Sequence, residues 1–362
     1  MVAATVCFTS MVAAPHQFVD TDAIRVVPPS EWDTLVARMG SEDTYVRHGY
    51  HVASAHLEPV ESLPVLLHFT DAGGELALPL LLRPLPDGAG YDATSAYGYG
   101  GPVVFASPDI ADFDAAYGAW AREHDVVSTF LRSNPMLANA AGMPTSAELI
   151  ELGSTVAWDV APGRDLAASM HTHHRRAARK ADRAELEMRI TVNPEDLSGF
   201  RAMYDHTMRR QDAADFYFFP DAYWTALVED LDGIDLVLVE GLLEGEPVAA
   251  QLCFANGPWL HYHLGASADA ARNIGASNRG FLAAAEWAQE RGMAAFHLGG
   301  GVGGGTDSPL FVFKHRFDPE SEPRAFHIAK LVHDPVRYLA LAGSDSTAGY
   351  FPPWRAPERP TA

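Results

Sequence analysis

The stretch Ala294–Asp318, AAFHLGGGVGGGTDSPLFVFKHRFD, runs from an apolar segment through six glycines into a second apolar segment that carries Lys314. An apolar run that breaks into glycine before a helix start is typical of units in which the backbone approaches a ligand closely. Lys314 is one of only three lysines, with Lys180 and Lys330, among 26 basic residues. In an arginine-preferring chain, a lysine directly after Phe313 indicates a need for a compact charge. A flexible surface loop followed by a chance lysine is the alternative interpretation.

Length and composition indicate a soluble globular protein. The 362 residues give room for two domains, and 48% hydrophobic with 20% charged residues is enough to build a full core. No segment approaches the roughly 20 apolar residues that a membrane span needs. Two cysteines, Cys7 and Cys253, are too few for a disulfide framework and predict a reducing, cytoplasmic location. The sequence leaves open whether Met1 or Met11 is the start.

The order of predicted elements repeats. Each half reads as helix, strand pair, strand, helix and strand, which predicts an α/β (α+β) fold with a mixed sheet in each half. We expect a disordered leader over residues 1–27, a first domain over 28–160 and a second over 161–324. The final strand and the chain length predict that residues 325–345 return to the first domain. The proline-rich end, residues 346–362, is expected to be a disordered tail.

The net charge of −21 argues against a general nucleic-acid binder and against DNA as a partner. Any polyanionic ligand would therefore have to bind at a local patch of cations. His173–Arg183, HHRRAARKADR, is such a patch, since it holds five Lys or Arg residues and one acid. A solvated helix face is the plain alternative.

Three other stretches carry polar groups in suggestive contexts. Tyr91–Val104 combines tyrosines with glycines, as in ligand-lining loops or in a packed turn cluster. Arg272–Ser277 places a basic residue before small residues and a helix, which suits an anion or is simply a helix entry. His171-x-His173-His174 lies in an arginine-rich helix, where repulsion of a cation predicts no metal site. In the pair His261-x-His263, we expect one histidine to face the core, although His263 is also placed to border a pocket.

Five segments in matching order together resemble one known family. They are AYGYGGPV (96–103), HHRRAARKA (173–181), YDHTMRRQDAADFYFF (204–219), LHYHLGASADAARNIGASN (260–278) and FHLGGGVGGGTDSPLFVFKHRF (296–317). The chain over Tyr91–Phe326 is thereby similar to the Fem family of aminoacyl-tRNA-dependent transferases of peptidoglycan bridges. That resemblance implies two tandem GNAT-like acyltransferase domains, each a mixed twisted sheet flanked by helices. No long helical hairpin is inserted, as in the compact members of the family.

The resemblance also implies roles for individual residues. Lys314, in the Phe313-Lys314 pair, matches the lysine that stabilises charge on the acyl carbonyl. Contacts to the acceptor are implied for Tyr97, Tyr99, Arg209 and Tyr217, with His263 at the edge of the pocket. Contacts to the phosphates of tRNA are implied for Arg175, Arg176, Arg179 and Lys180. Independently of the resemblance, the pattern of Arg272–Ser277 makes Arg272 and Gly275 candidate contacts to the phosphates of a donor. For the general base, Asp307 and a substrate carboxylate acting through water stay open.

The resulting hypothesis is an enzyme that moves an amino acid from the 3′ end of aminoacyl-tRNA to an amine and forms an amide. The acceptor is expected to be peptide-like or nucleotide-linked, either a peptidoglycan precursor or an antibiotic intermediate, and no cofactor is permanently bound. Because Arg272–Ser277 resembles a coenzyme A pyrophosphate signature, an acyl-CoA-dependent N-acyltransferase is the alternative. A non-catalytic tRNA or nucleotide-sugar binding module would leave Lys314 without a role.

Overall fold

Almost every strand of the protein lies in one continuous twisted sheet. The computed structural model describes residues 18–271, 273–301 and 305–357. Within these residues, thirteen strands pair in the order β1-β2-β3-β4-β6-β13-β7-β12-β11-β10-β9-β8, and β5 pairs with β3 beside this path. The strands are β1 (Ile24–Val27), β2 (Leu63–Thr70), β3 (Gly74–Pro84), β4 (Tyr91–Thr94), β5 (Val103–Ala106), β6 (Val126–Arg132), β7 (Glu148–Asp159), β8 (Glu187–Val192), β9 (Asp235–Leu243), β10 (Glu246–Asn256), β11 (Trp259–Ser267), β12 (Ala295–Gly300) and β13 (Arg324–Val332).

Helices cover both faces of this sheet. They are α1 (Pro29–Arg38), α2 (His48–Ala55), α3 (Ile110–Glu123), α4 (Leu166–Ser169), α5 (Thr172–Arg183), α6 (Ser198–Arg210), α7 (Asp221–Glu229), α8 (Ala276–Glu290), α9 (Pro309–His315) and α10 (Pro335–Ala342). In the second half, α4, α5, α8 and α9 pack on the face that carries Val237 and Val239. The opposite face, with Leu236 and Leu238, is covered by α6, α7 and α2 of the first half. Alternate residues of β9 thus enter two separate cores, because strand side chains alternate between faces.

The two halves are joined through β7 and β13. Val332 to Ile328 of β13 pair with Ser128 to Arg132 of β6, and the same strand pairs with the first part of β7. The last part of β7 pairs instead with β12 of the second half. The sheet therefore runs without interruption from one half to the other. β7 ends at Asp159, next to the position where the sequence predicts the first domain to end.

The expected disordered leader is wrong for residues 18–27. Ile24–Val27 pairs with β2, and Ile24 and Val27 are buried. Phe18 is also buried, with its ring 5.3 Å from that of Tyr91. These apolar side chains gain more by covering the sheet than the segment loses in chain entropy. Residues 1–17 lie outside the described residues.

The expected disordered tail is also wrong, for residues 346–357. Phe351 is buried against Tyr338, with ring centroids 5.7 Å apart. Trp354 Nε1 and Arg355 Nε donate hydrogen bonds of 2.8 and 2.9 Å to the fully buried carboxylate of Asp92. The two aromatic side chains and the arginine hold the tail on the first half, which its proline content concealed. Residues 358–362 lie outside the described residues.

In the part of the chain that the structure describes, no helix combines the length and the apolar character needed to cross a membrane.

Candidate active site

Lys314 is held almost out of contact with solvent at the end of α9. Ser308 caps that helix by accepting a hydrogen bond from the Phe311 amide, and Pro309 opens it. The Lys314 side chain is only 7% exposed. Its Nζ donates a 2.8 Å hydrogen bond to the Gly300 carbonyl and lies 5.4 Å from the centroid of the Tyr262 ring. Backbone dipole and ring together fix the ammonium at one point.

Burial lowers the pKa of Lys314 from 10.5 to about 7. Among the described residues, no carboxylate forms an ion pair with it that would offset the loss of hydration. Near neutral pH the side chain therefore exists in both protonation states. A lysine with such a pKa in a cleft is a candidate functional group, since structural lysines are normally exposed or paired.

A gap between β11 and β12 opens where Lys314 lies. The two strands pair in parallel over Trp259–His261 and Ala295–His297. Beyond this point β12 stays with β7 through Gly300, whereas β11 stays with β10. His263 is an extra residue opposite Leu252 and Cys253 of β10, a bulge that turns β11 further away. Lys314 reaches into the space between the separated strands.

Gly299 brings residues of both halves together at this gap. It has φ of +75°, and a Cβ on it would stand 3.1 Å from Tyr99 Oη and 3.3 Å from Lys314 Nζ. Tyr99 comes from the loop after β4 of the first half and contacts the ring of His297 at 5.0 Å. Burial raises the pKa of Tyr99 well above its usual value, so the phenol is neutral and able to donate a hydrogen bond. Two donors from different halves thus flank one glycine.

A cleft of about 720 Å³ leads to Lys314 along α5 and α8. Four cations line it, namely Arg176, Lys180, Arg183 and Lys314. None of its described lining residues is Asp or Glu, although the whole chain has a net charge of −21. This local reversal of charge suits an anionic ligand. Phe313 lines the inner part of the cleft beside Lys314, as the sequence predicts for a shared site.

The predicted donor-binding residues divide into three groups. Arg176 and Lys180 line the cleft, whereas Arg179 is exposed and is not among the lining residues. The guanidinium of Arg175 donates to the Ala168 carbonyl at 3.0 Å, so it holds the α4–α5 connection. Gly275, with φ of +82°, lines the cleft, and the Ala177 carbonyl occupies the place of a Cβ on it, so α5 packs tightly on the start of α8. Arg272 lies outside the described residues.

His174 joins the cationic helix α5 to the lysine helix α9, a link that no local sequence pattern indicates. It is buried, and its Nε2 donates a 2.8 Å hydrogen bond to the Phe313 carbonyl. Burial lowers the pKa of His174 to about 4, so the ring is neutral near pH 7. The described residues contain no cluster of three or more His, Cys, Asp or Glu side chains suited to a metal.

The predicted acceptor-binding residues lie on the opposite face of the sheet. The ring of Tyr97 is 6.1 Å from that of His263 and 5.7 Å from Phe219. Burial, with a smaller contribution from Tyr217, raises the pKa of Tyr97 to about 12. Tyr97, Tyr217 and His263 therefore share one region, which Tyr99 connects to Lys314.

Two of the predicted site residues, Arg209 and Asp307, do not line the cleft. Arg209 has a side chain 68% exposed that lies 3.8 Å from Asp205, so it is at the outer edge of the region. Asp307 is exposed and is not among the lining residues of the cleft. In addition, His263 Nε2 is 2.7 Å from the Tyr223 hydroxyl, and burial lowers the pKa of His263 to about 3. His263 is thus neutral and already hydrogen-bonded.

A row of buried polar side chains crosses the domain junction beneath Tyr99. Asp43 Oδ2 is 3.0 Å from His261 Nε2, and the Nδ1 atoms of His261 and His297 are 3.2 Å apart. His297 Nε2 is 2.9 Å from the Thr155 hydroxyl. The sequence predicts one histidine of the 261/263 pair in the core, but no local pattern indicates Asp43 or His297 as its neighbours. These contacts hold β11, β12 and β7 together at the point where the gap opens.

This arrangement, with a mixed sheet, two parallel strands that separate and a cleft at the gap, defines a class of protein. Residues 168–307 match the family model described as the Acetyltransferase (GNAT) domain. No curated protein sequence matches the chain.

Solved structures share the fold of most of the chain. FemX aligns over 88% of this chain and 99% of its own, with a TM-score of 0.60 and 14% identity. L-PGS from Bacillus licheniformis aligns over 83% and 91%, with a TM-score of 0.55 and 14% identity. A tandem GNAT protein from the clavulanic acid biosynthesis pathway aligns over 86% and 99%, with a TM-score of 0.50 and 14% identity. The α/β fold of two GNAT-like units predicted from the sequence is confirmed. The chain shares its fold with FemX and with the tandem GNAT protein, and the match of residues 168–307 supports an acyltransferase.

Proposed function

We propose that this protein transfers an aminoacyl group from aminoacyl-tRNA to the amine of a peptide-like acceptor and forms an amide bond. The observation that carries the proposal is the cationic cleft, which ends at the buried Lys314 in a strongly acidic protein. A donor with many phosphates fits the outer cleft, and an ester carbonyl fits beside the ammonium. A tRNA donor also implies a cytoplasmic location.

Lys314 and Tyr99 have the chemistry that aminolysis of an ester requires. The acceptor nitrogen attacks the ester carbonyl carbon and the carbonyl oxygen becomes an oxyanion. The bond to the ribose oxygen then breaks, and that oxygen takes up the proton that the nitrogen loses. The Lys314 ammonium and the neutral Tyr99 hydroxyl, both beside Gly299, are placed to donate to that oxyanion. Donors fixed in advance in a site with little water stabilise such a charge strongly. The rest of the rate comes from holding two reactants together.

The two faces of the sheet supply separate places for the two substrates. The donor cleft runs along α5 and α8 and reaches Thr207 and Gln211 at the end of α6. Tyr97 packs against the core that α6 and α7 cover, and Tyr217 lies near it. The gap between β11 and β12 connects them at Lys314. An acceptor amine on the tyrosine side thus approaches the carbonyl from the face opposite to the donor. The names of two neighbours in fold, FemX and L-PGS, are consistent with aminoacyl transfer.

A different donor, an acyl-CoA, is supported by two further observations. The start of α8 at Gly275 lines the cleft, and backbone amides at a helix start suit a pyrophosphate. The matching family model is described as an acetyltransferase. An acyl-CoA would use the same cleft and the same Lys314, so the two proposals differ only in the donor.

A donor screen with an RNase control separates them. Purified protein is incubated with a panel of charged tRNAs or with acetyl-CoA, together with peptide and nucleotide-linked peptide acceptors that have free amines. We expect amide product from charged tRNA only, and RNase is expected to abolish it. Product formation that RNase leaves unchanged, or product from acetyl-CoA alone, would contradict the tRNA donor.

Replacement of Lys314 tests the catalytic role. Lys314→Met is expected to lower kcat by roughly 10²- to 10³-fold, the usual loss for one oxyanion donor. Lys330→Met is the matched control, because Lys330 is equally buried at 7% exposure but donates to the Thr347 carbonyl far from the cleft. Full turnover by Lys314→Met would show that the ammonium has no part in the reaction.

A further inference from the structure

Two carboxamides that line the cleft are buried and have unused hydrogen-bonding atoms. Gln251 of β10 is 2% exposed and Asn278 of α8 is 9% exposed. Within the described chain, Gln251 Oε1 and Asn278 Nδ2 have no hydrogen-bond partner. A buried polar atom without a partner is costly, and such atoms are rare in native proteins. One unused acceptor and one unused donor thus belong to residues that line the same cleft.

Two glycines make room for this arrangement. Gln251 Oε1 occupies the place of a Cβ on Gly280, so the amide lies flat against the backbone of α8. Gln251 pairs across the sheet with Gly265, where the Tyr262 hydroxyl occupies the place of a Cβ in the same way. Any larger residue at 265 or 280 would displace one of the two polar groups. The amide and the phenol are therefore positioned by the packing around them.

The Gln251 amide and the Tyr262 hydroxyl lie close to Lys314. Lys314 Nζ is 5.4 Å from the centroid of the Tyr262 ring, and the hydroxyl of that ring extends toward Gln251 across Gly265. A group that contacts Gln251 and Asn278 is thus close to the carbonyl that Lys314 would stabilise. The described lining of the cleft provides no carboxylate to balance a positive side chain.

We propose that Gln251 and Asn278 select the transferred amino acid, and that they favour an uncharged side chain with a hydroxyl or a carboxamide. Such a group both donates to Gln251 Oε1 and accepts from Asn278 Nδ2, whereas an aliphatic side chain leaves both unpaired. A lysyl or arginyl side chain finds no carboxylate among the described lining residues and is repelled by the four cations. This inference rests on the proposed function, because it assigns the amino acid that the aminoacyl donor carries.

Binding of stable donor analogues tests the selection without an acceptor. Short RNA helices that end in CCA carry seryl, asparaginyl, alanyl or lysyl groups through an amide instead of an ester. We expect the seryl and asparaginyl forms to bind the full-length protein roughly 10- to 100-fold more tightly than the alanyl and lysyl forms. Gln251→Leu and, separately, Asn278→Leu are expected to remove that preference.

Gln251→Glu is expected to increase an affinity, a result that a misfolded protein would not give. A carboxylate of the same shape is expected to raise the affinity for the lysyl form at least tenfold relative to the seryl form. Asn256→Leu is the matched control, since Asn256 is a buried amide with an unpartnered oxygen on the same strand but outside the lining of the cleft. It is expected to keep the preference of the wild type.

Two results would overturn the inference. One is equal affinity of the wild type for all four analogues, and the other is a loss of affinity in Gln251→Leu that is the same for all four. Failure of the proposed function looks different: no analogue would bind more tightly than the uncharged RNA helix, while acetyl-CoA would bind.

Discussion

At Lys314 two properties of a buried ammonium oppose each other. Removal from water makes the positive charge more effective on a nearby oxyanion, yet it also lowers the pKa to about 7. The fraction that carries the charge therefore falls as pH rises through about 7 in the free protein. Lys314 Nζ and the Tyr99 hydroxyl both lie beside Gly299 at the gap. Because the phenol stays neutral, the protonation of Lys314 alone sets how strongly the pair stabilises an oxyanion.

The pH dependence distinguishes a cation from a base at this position. The ratio of kcat/KM between wild type and Lys314→Met is expected to fall as pH rises through about 7, because only the protonated lysine stabilises an oxyanion. Taking this ratio cancels the titration of the acceptor amine. A ratio that rises over the same range would instead identify Lys314 as a proton acceptor. Lys330→Met should show the wild-type profile.

The sequence identified some of these residues and missed others for a physical reason. Lys314 was detectable because lysine is rare in this chain and follows an apolar strand and glycines. Asp43, His261 and His297 are far apart in sequence and meet only through strand pairing across the domain junction. Gln251 and Asn278 likewise depend on the packing of α8 against β10. Local patterns contain no information on such contacts.

At the scale of elements, α5 determines how the donor enters. One side of it buries His174, Ala178 and Ala181, and the other presents arginine and lysine along the cleft. His174 fixes this helix to the backbone of α9. Any shift of α5 therefore moves the cations and Lys314 together.

The salt dependence of donor binding measures the contribution of α5. In the variant Arg176→Gln/Lys180→Gln/Arg183→Gln, the slope of log affinity against log salt for the RNA analogue should decrease by about 3, roughly one for each lost phosphate contact. Arg291→Gln is the control, because Arg291 is exposed at the far end of α8 and stacks on Trp287 at 3.8 Å. An unchanged slope in the triple variant would mean that the phosphates bind elsewhere.

Periodicity predicted most elements well but failed where side chains bond to the backbone. The regular alternation of polar and apolar residues over Glu187–Val192 predicts a strand, and β8 has these bounds. The pattern over Asn134–Met143 predicts a helical stretch of less regular character, but the structure has only a 3₁₀ turn there, at Asn139–Gly142. Asn134 and Asn139 use their side chains on backbone groups there, and Ala138 has φ of +50°. Asparagine competes with helix formation in this way.

At the scale of the molecule, the C-terminal tail stabilises the first half. Arg83, Trp354 and Arg355 all bond to Asp92, which has no access to water. Loss of part of this cluster leaves a buried carboxylate less well compensated. The tail was predicted to be disordered because its composition gives no sign of these distant partners.

A truncation after Asp345 is expected to lower the free energy of unfolding by about 3–5 kcal/mol, from the loss of Phe351 burial and of the Asp92 partners. Urea denaturation followed by tryptophan fluorescence measures this. Tyr350→Ser, at a neighbouring side chain that is 56% exposed, is the control and should change little. A truncated protein as stable as the control would contradict the role of the tail.

The position of β13 also sets the order in which the protein can fold during synthesis. β6 and β7 leave the ribosome early, but β13, which separates them in the sheet, begins only at Arg324. Until then the inner edges of β6 and β7 are unpaired, and such edges are prone to wrong pairing. The first half thus completes its sheet after the second half has been made.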